Sequence, residues 1–425
     1  MGSNTDAHTS AKEFHGVDYI KITILGFGLS ALWACFHTII LQDIVPALVP
    51  EGLKHTYLGL LISAGAVIAM ATQPIVGTIS DRSGFAWGRR RPYILLGITL
   101  ALLFLPGIGF CSSYAVLFII YCLMQISTNT AQGPFQAFIP DLVPEGKRGR
   151  ASGVRNLLNI VGGAVLIGVI GRFMGHYSAG EGSSWLWLSL GALAIVMLGV
   201  MLVTVLTVKE RPGAGGRQLP LLPTLYKSFK IDIKANRDFT IFLVACLFIF
   251  APWAALQTFA LPFLKHVVGI PNPEAATADL IIVITVCILA TVYPTGRLSD
   301  RVGRKPVMLP ACLLSALGIV ALFFSQSYTH ILLCGALLGI SGGAWMSSQW
   351  ALAIDLVGKG EEARYLGLVN LVICGGGVLG RLPVGGAIDF FNALSPNLGY
   401  SVMFLFCFIC FIVGSLLLLK IKEIK

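Results

Sequence analysis

Charge is scarce in this chain. Asp, Glu, Lys and Arg make up 12% of 425 residues, against roughly 25% in a soluble protein. Hydrophobic residues reach 56% and the mean hydropathy is +0.82, so a large soluble domain, a disordered chain and a coiled coil are all excluded. A metal-ligand cluster, a phosphate-binding Walker loop and a Ser/His/Asp arrangement are missing too, so no cofactor, no metal and no enzymatic activity are expected. The glycine pair Gly162-Gly163 sits inside an apolar run, without phosphate-binding context. The first 19 residues are polar and lack the apolar core of a signal peptide. Myristoylation is excluded by Asp6, where Ser or Thr is required. All 10 cysteines lie in or beside apolar runs and read as small buried hydrophobes, including the Cys407/Cys410 pair.

What is present is a series of runs long enough to cross a bilayer, which takes roughly 20 residues each. They fall at 20–46, 57–80, 93–111, 114–139, 153–175, 184–208, 239–264, 278–298, 307–325, 329–356, 366–388 and 399–420. The organisation is a 1–19 tail, a six-helix bundle over 20–208, a linker at 209–238 and a second bundle over 239–425. With both ends on one side, 26 of the 30 Lys and Arg residues fall on that side, Lys54, Arg172 and Lys265 lie opposite, and Arg381 is inside a span. The positive-inside rule then predicts cytoplasmic termini in a cell membrane, the inner one in a Gram-negative bacterium. The net charge of +10 is thereby topogenic, and nucleic acid is not an expected partner. In the linker, Leu222, Tyr226, Phe229 and Ile233 recur at helical spacing with lysines on other faces. That pattern suits either an interfacial helix on anionic headgroups or a solvated connector.

The chain repeats itself. Asp141, Arg150, Gly153 and Asn156 return as Asp355, Arg364, Gly367 and Asn370, each 214 positions later. A loop with Gly77, Asp81, Arg82, Gly88, Arg89, Arg90, Arg91 and Pro92 returns as Gly296, Asp300, Arg301, Gly303, Arg304, Lys305 and Pro306, with five extra loop residues in the first copy. Parallel six-helix halves of this kind resemble major facilitator transporters. The motif reads as a gate. Asp81 at a helix end can pair with arginines and face a helix N-terminus of the opposite half, while Pro92 suits the first turn of the third span. Ion pairs here would form in one state and break in another, with Asp141, Arg150, Asp355 and Arg364 as partners. Topogenic arginines alone would not explain the Asp or the duplicated spacing.

The stretch Gln73-Pro74-Ile75-Val76-Gly77-Thr78-Ile79-Ser80-Asp81-Arg82 with Gly88-Arg89-Arg90-Arg91-Pro92-Tyr93-Ile94 resembles sucrose–proton symporters, which belong with the glycoside–pentoside–hexuronide cation symporters. Asn129-Thr130-Ala131-Gln132-Gly133-Pro134-Phe135-Gln136-Ala137 is similar to their fourth helix. The resemblance implies a twelve-helix secondary transporter of a sugar or glycoside that works by alternating access. Two departures stand out. Where those symporters carry an Asp and an Arg on the fourth helix, this chain has Gln125 and Gln136. Two amides do not titrate, so proton coupling at that site is not expected, although both can hydrogen-bond a hydroxylated solute. The acidic pair that melibiose-type carriers use for sodium is also absent, because spans two and four have no Asp or Glu in their interior.

An ionisable group at bilayer depth costs roughly 2.5–3.5 kcal/mol, so each needs a reason. His37 and Asp43 in the first span are candidates to handle a coupling proton or cation, though their spacing puts them on different faces; a satisfied buried histidine and a structural aspartate are the plainer alternatives. Arg381 in span eleven is a candidate to hold an anionic solute or to pair with Asp43. Gln125, Asn129, Gln132, Gln136, Asn156 and Asn159 give spans four and five a polar face. Trp253 and Gln257, with Trp345 and Gln349, add rings and amides suited to a sugar cavity near the midplane, or to packing against lipid and neighbouring helices. The expected partners are a small-molecule solute and the lipid bilayer, with the chain acting as a monomer. The alternatives are an exporter of amphipathic compounds and a non-transporting assembly factor.

Overall fold

The computed structural model describes residues 16–210, 237–325, 327–356 and 362–421. The candidate linker helix at 222–233 and the side chain of Arg364 lie outside the described residues. Twelve helices are long and apolar enough to cross a membrane: α1 (Leu25–Leu48), α2 (Glu51–Asp81), α3 (Arg91–Phe110), α4 (Tyr114–Leu142), α5 (Arg148–Ser178), α6 (Ser184–Thr207), α7 (Arg237–Val268), α8 (Pro273–Val302), α9 (Lys305–Phe323), α10 (Tyr328–Asp355), α11 (Leu368–Leu394) and α12 (Leu398–Leu419). A short helix, Gly16–Thr23, leads into α1, so helical structure starts inside the stretch read as a polar tail. Several helices run beyond the apolar windows because their polar end turns stay helical: α8 starts five residues before its apolar run, at Pro273 behind the Asn272 cap. Large apolar side chains such as Leu103, Phe110, Ile195 and Leu206 point outward, as a chain solvated by lipid requires.

The sequence repeat is a repeat of bonds. Ser113 caps α4 by accepting from the Val116 amide, and Ser327 caps α10 by accepting from His330, 214 positions on. Arg91 donates to the Val205 carbonyl at the end of α6, and Lys305 donates to Leu419 at the end of α12, again 214 apart. Within each half the third helix is therefore tied to the sixth by a cation on a C-terminal carbonyl, the favourable end of the helix dipole.

The halves meet through α2 with α11, α5 with α8, and α1 with α7. Glycines show where the approach is close. A Cβ at Gly171 of α5 would lie 2.7 Å from Ala278 and 2.9 Å from the Glu274 carbonyl of α8, and one at Gly175 would lie 2.5 Å from Asn272. Toward the other end of the same interface the described residues part: a Cβ at Gly77 of α2 or Gly153 of α5 would meet none of them within 4 Å. Since α8 comes six spans after α2 and so runs in the same direction, Asp81 and Asp300 end at one face, called here the basic-loop face. The molecule is closed at the opposite face and splayed toward the basic loops.

Candidate substrate cavity and its gates

The basic-loop motif builds one node in each half. Arg90 donates from Nε to Asp141 (3.0 Å), from Nη1 to Ser80 (2.6 Å) and the Gly77 carbonyl (3.2 Å), and pairs with Asp81. Arg89 adds a second pair to Asp141 at 2.8 Å. In the second half Arg304 repeats the pattern with Asp355 (3.3 Å), Ser299 (3.2 Å) and Asp300. The hydrogen bond to Asp300, helped by Asp355, raises the Arg304 pKa above its ordinary value. Arg90 is 4% exposed and Arg304 24%. Between described residues these pairs stay inside one half. Asp81 holds its own arginine here, and among the described residues it has no ion pair with the opposite half. Arg150 and Arg301 are exposed, and a Cβ at Gly296 would lie 3.8 Å from Ser347. Gly88 (φ +125°) and Gly303 (φ +99°) take backbone shapes that other residues resist.

The opposite face is shut by contacts between the halves. Asp389 of α11 accepts from His55 Nδ1 (2.6 Å) and from the Thr56 amide and hydroxyl (both 2.6 Å), and Tyr400 lies 2.9 Å from His55 Nε2. His55, Asp389 and Tyr400 are all buried. Asp43 of α1 faces Lys265 of α7 at 3.9 Å, and the same ammonium lies 3.7 Å from the buried Glu274 of α8. Arg172 and Asp279 pair at 3.6 Å. The suggested Asp43–Arg381 pair does not form; Asp43 turns to the closed face and Arg381 to the cavity.

Between the halves lie two adjoining cavities, about 280 and 520 Å³ in volume, with Ala66 and Arg381 in both walls. The smaller is the more polar of the two: Gln73, Gln125, Asn129, Gln132 and Asn159 line it beside Trp33, His37 and apolar residues such as Leu29 and Ile62. The larger is apolar and aromatic, with Phe250, Trp253, Trp345 and Met346 around Gln257. Amides and rings thus face one another across the centre.

A hydrogen-bond chain organises the polar wall. Gln136 donates to Gln73 Oε1 (3.3 Å), Gln73 to Asn129 Oδ1 (2.6 Å), Asn129 to Gln125 Oε1 (3.0 Å) and Gln125 to the Tyr121 hydroxyl (2.9 Å), which lies 2.9 Å from His37 Nε2. Every amide dipole points the same way, an arrangement in which successive bonds strengthen one another. His37 occupies a wide π-helical stretch of α1, Phe36–Ile40, and stacks on Trp33 at 5.3 Å; such stretches are frequent at functional sites. Asn129→Leu interrupts the chain and takes the partner from the Gln73 Nε2 donor and the Gln125 Oε1 acceptor, a loss of about 1–3 kcal/mol. A lowered thermal midpoint in detergent, with Thr130→Ala unchanged as control, is the expected measurement.

The walls also revise the candidate list. Asn156 is exposed away from the cavities, and Asn159, one turn further along α5, takes its place. Gln136 sits at the rim and acts through Gln73, while Gln349 is buried in α10 without lining either cavity. Sequence reasoning missed Tyr121 and Trp33, which look like ordinary core aromatics, and Gln73, which was absorbed in the loop motif. Glu274 and Asp389 escaped notice because the apolar windows ended just short of them.

A family model described as MFS/sugar transport protein matches residues 14–421. Sucrose transport protein SUT1 of rice (Oryza sativa subsp. japonica) is 31% identical over 220 residues, covering 42% of this chain and 39% of the relative. That match spans well under half of SUT1. Sucrose transport protein SUT5 of rice (Oryza sativa subsp. indica) is 24% identical over 459 aligned positions, covering 88% of this chain and 83% of the relative. Among solved structures, nucleoside transporter NupG is similar with a TM-score of 0.74 at 16% identity, covering 95% and 99% of the two chains. D-xylose-proton symporter gives a TM-score of 0.71 at 16% identity, covering 96% and 98%. At such identities the likeness to the structures establishes the fold alone.

Proposed function

The chain belongs to the MFS/sugar transport protein family, and on that premise we propose that it carries a polar small solute, a sugar or glycoside, across a membrane by alternating access. One observation carries the reading: a cavity with amides on one wall and tryptophans on the other lies between two halves that are bonded at one face and parted at the other. Hydroxyl groups suit the amides, and the apolar face of a sugar ring suits Trp253 and Trp345. Swinging the halves about the cavity would break the His55–Asp389 and Asp43–Lys265 contacts and bring the basic-loop nodes together. By the positive-inside rule the parted face is cytoplasmic, and both termini lie there, in a cell membrane.

A driving proton or cation would act away from α4, whose Gln125 and Gln136 do not titrate. His37 on the cavity wall and Asp43 at the closed face are the groups assigned to it. The relatives are transporters, and a central cavity argues against an assembly factor with a filled centre. The apolar larger cavity is what favours the second reading, export of an amphipathic compound. Uptake of radiolabelled sugars and glycosides into proteoliposomes, with and without an imposed proton gradient, separates the two. Saturable movement of at least one sugar is expected; movement of an amphipathic dye with every sugar excluded would reverse the order.

A further inference from the structure

Asp43 near the end of α1 is 4% exposed and Glu274 in the first turn of α8 is 1% exposed, so each half buries a carboxylate at the closed face. The two face each other across the interface, and the Ser178 hydroxyl at the end of α5 faces Asp43 without closing a bond to it. Lys265 of α7 is the ammonium beside both, at 3.9 and 3.7 Å. Those are ion-pair contacts, too long for hydrogen bonds. Both Asp43 oxygens and Glu274 Oε1 are left as buried acceptors with no donor. Other charged groups at this face are engaged elsewhere. Arg172 of α5 pairs with Asp279 of α8, Lys54 of α2 lies 3.1 Å from His266 of α7, and His55 of α2 is held by Asp389. Two buried carboxylates against one ammonium leave a net negative charge, which is costly away from water.

A single hydrogen between the carboxyl groups answers both the charge and the empty acceptors. We propose that Asp43 and Glu274 share one proton while this face is closed, forming a carboxyl-to-carboxylate hydrogen bond between the halves that latches the face and that alkali releases. Two carboxylates facing each other out of water do not both ionise. Glu274 keeps the charge, because it lies in the first turn of α8, where a helix N-terminus favours an anion. Asp43 therefore carries the hydrogen and donates it to Glu274. A metal cation is the poorer occupant: hard cations take about six or more oxygens, and the Lys265 ammonium already stands within 4 Å of both carboxylates. Lys265 is 42% exposed, so the pair lies next to the medium on the closed side and gives its proton back there when the face opens. Parting the halves hydrates both groups and removes the reason to share, so the closed form binds more protons and acid favours it. The inference rests on the alternating-access reading above and narrows it: of the two groups assigned to a driving proton, Asp43 serves the gate and His37 is left with the cavity.

The test uses the full-length protein in detergent, without solute. In heavy water near neutral pH, the infrared spectrum should contain the C=O stretch of one protonated carboxyl group that Asp43→Asn and Glu274→Gln both remove and Asp279→Asn retains. Hydrogen exchange, corrected for its intrinsic dependence on pH, is then read over residues 41–49 and 272–280. Between about pH 6 and about pH 9 both segments should open more readily as pH rises, by up to about tenfold per pH unit. In Asp43→Asn the amide replaces the protonated carboxyl as donor to Glu274, so the face should stay closed and the pH dependence should vanish. Should that variant fail to fold, Glu274→Gln supplies the same comparison, since the band and the pH response both need Glu274. Absence of the carboxyl band overturns the latch. A pH dependence that persists in Asp43→Asn also overturns it and moves the response to His55 and Asp389. Sodium that removes the band and protects both segments, with choline inert, overturns it in favour of a metal cation. The alternating-access reading fails separately, by exchange at 54–58 and 385–400 that stays slow at every pH and in Asp389→Ala.

Discussion

Asp389→Ala should open the closed face and lower solute uptake by more than tenfold. The carboxylate is 6% exposed and is the common acceptor for His55 and Thr56 across the halves. Removing one member of a buried hydrogen-bonded pair costs about 3–5 kcal/mol. Here that loss falls on the closed-face state, because the bonds join α2 to α11 and have to part when the face opens. A shift of that size moves a two-state balance by more than about a hundredfold. Hydrogen exchange read by mass spectrometry should speed up over residues 54–58 and 385–400, while the node around Arg90 keeps its protection. Asp389→Asn, which retains an acceptor for Thr56, should fall between the variant and the parent. Unchanged exchange at both segments would mean that the face is held by packing alone.

Arg90→Ala should be the most damaging change in the basic loops, with a loss of about 3–5 kcal/mol in stability and no measurable uptake. The guanidinium is buried and serves Asp81, Asp141, Ser80 and the Gly77 carbonyl together. Its removal takes a bond from each of them and leaves Asp81 without its arginine, while Asp141 keeps Arg89 and Ser80 keeps the Gly77 carbonyl. Arg304→Ala removes the equivalent bonds from a more exposed site, where ion pairs contribute about 0–1 kcal/mol, so its thermal midpoint in detergent should fall far less. Equal losses in the two variants would refute burial as the source of the difference. The comparison uses one motif present twice in one chain, which holds the chemistry constant and varies the surroundings.

The twelve helices and the doubled halves were legible because long apolar runs and a repeated spacing are properties of the chain itself. The motif arginines and their acidic partners were legible for the same reason: Arg90 with Asp141 and Arg304 with Asp355 keep their 51-residue separation in both halves. The site was less so. Asn156 and Asn159 differ by one turn, and only the packed position of α5 decides which one reaches the cavity. Asp43 could be paired with Arg381 on paper, yet the two lie on different sides of the interface. Glu274 and Asp389 sit beside the ends of apolar runs, where a hydropathy window sees only flanking polarity, and their role depends on which helix of the other half arrives there. Cross-half geometry is a tertiary fact that no local pattern records.

Glu210 gives the connection between the halves an unexpected point of purchase. Its carboxylate accepts from the backbone amides of Arg90 and Arg91 at 2.8 and 2.9 Å, at the start of α3 beside Gly88. The strap of chain that leaves α6 is therefore clamped onto the guanidinium loop before it departs. Any pull from the swinging second half arrives as torque on the third helix and its arginine, not on the free end of the sixth. The span that the connection must bridge is accordingly measured from that clamp, at Glu210, to the start of α7 at Arg237.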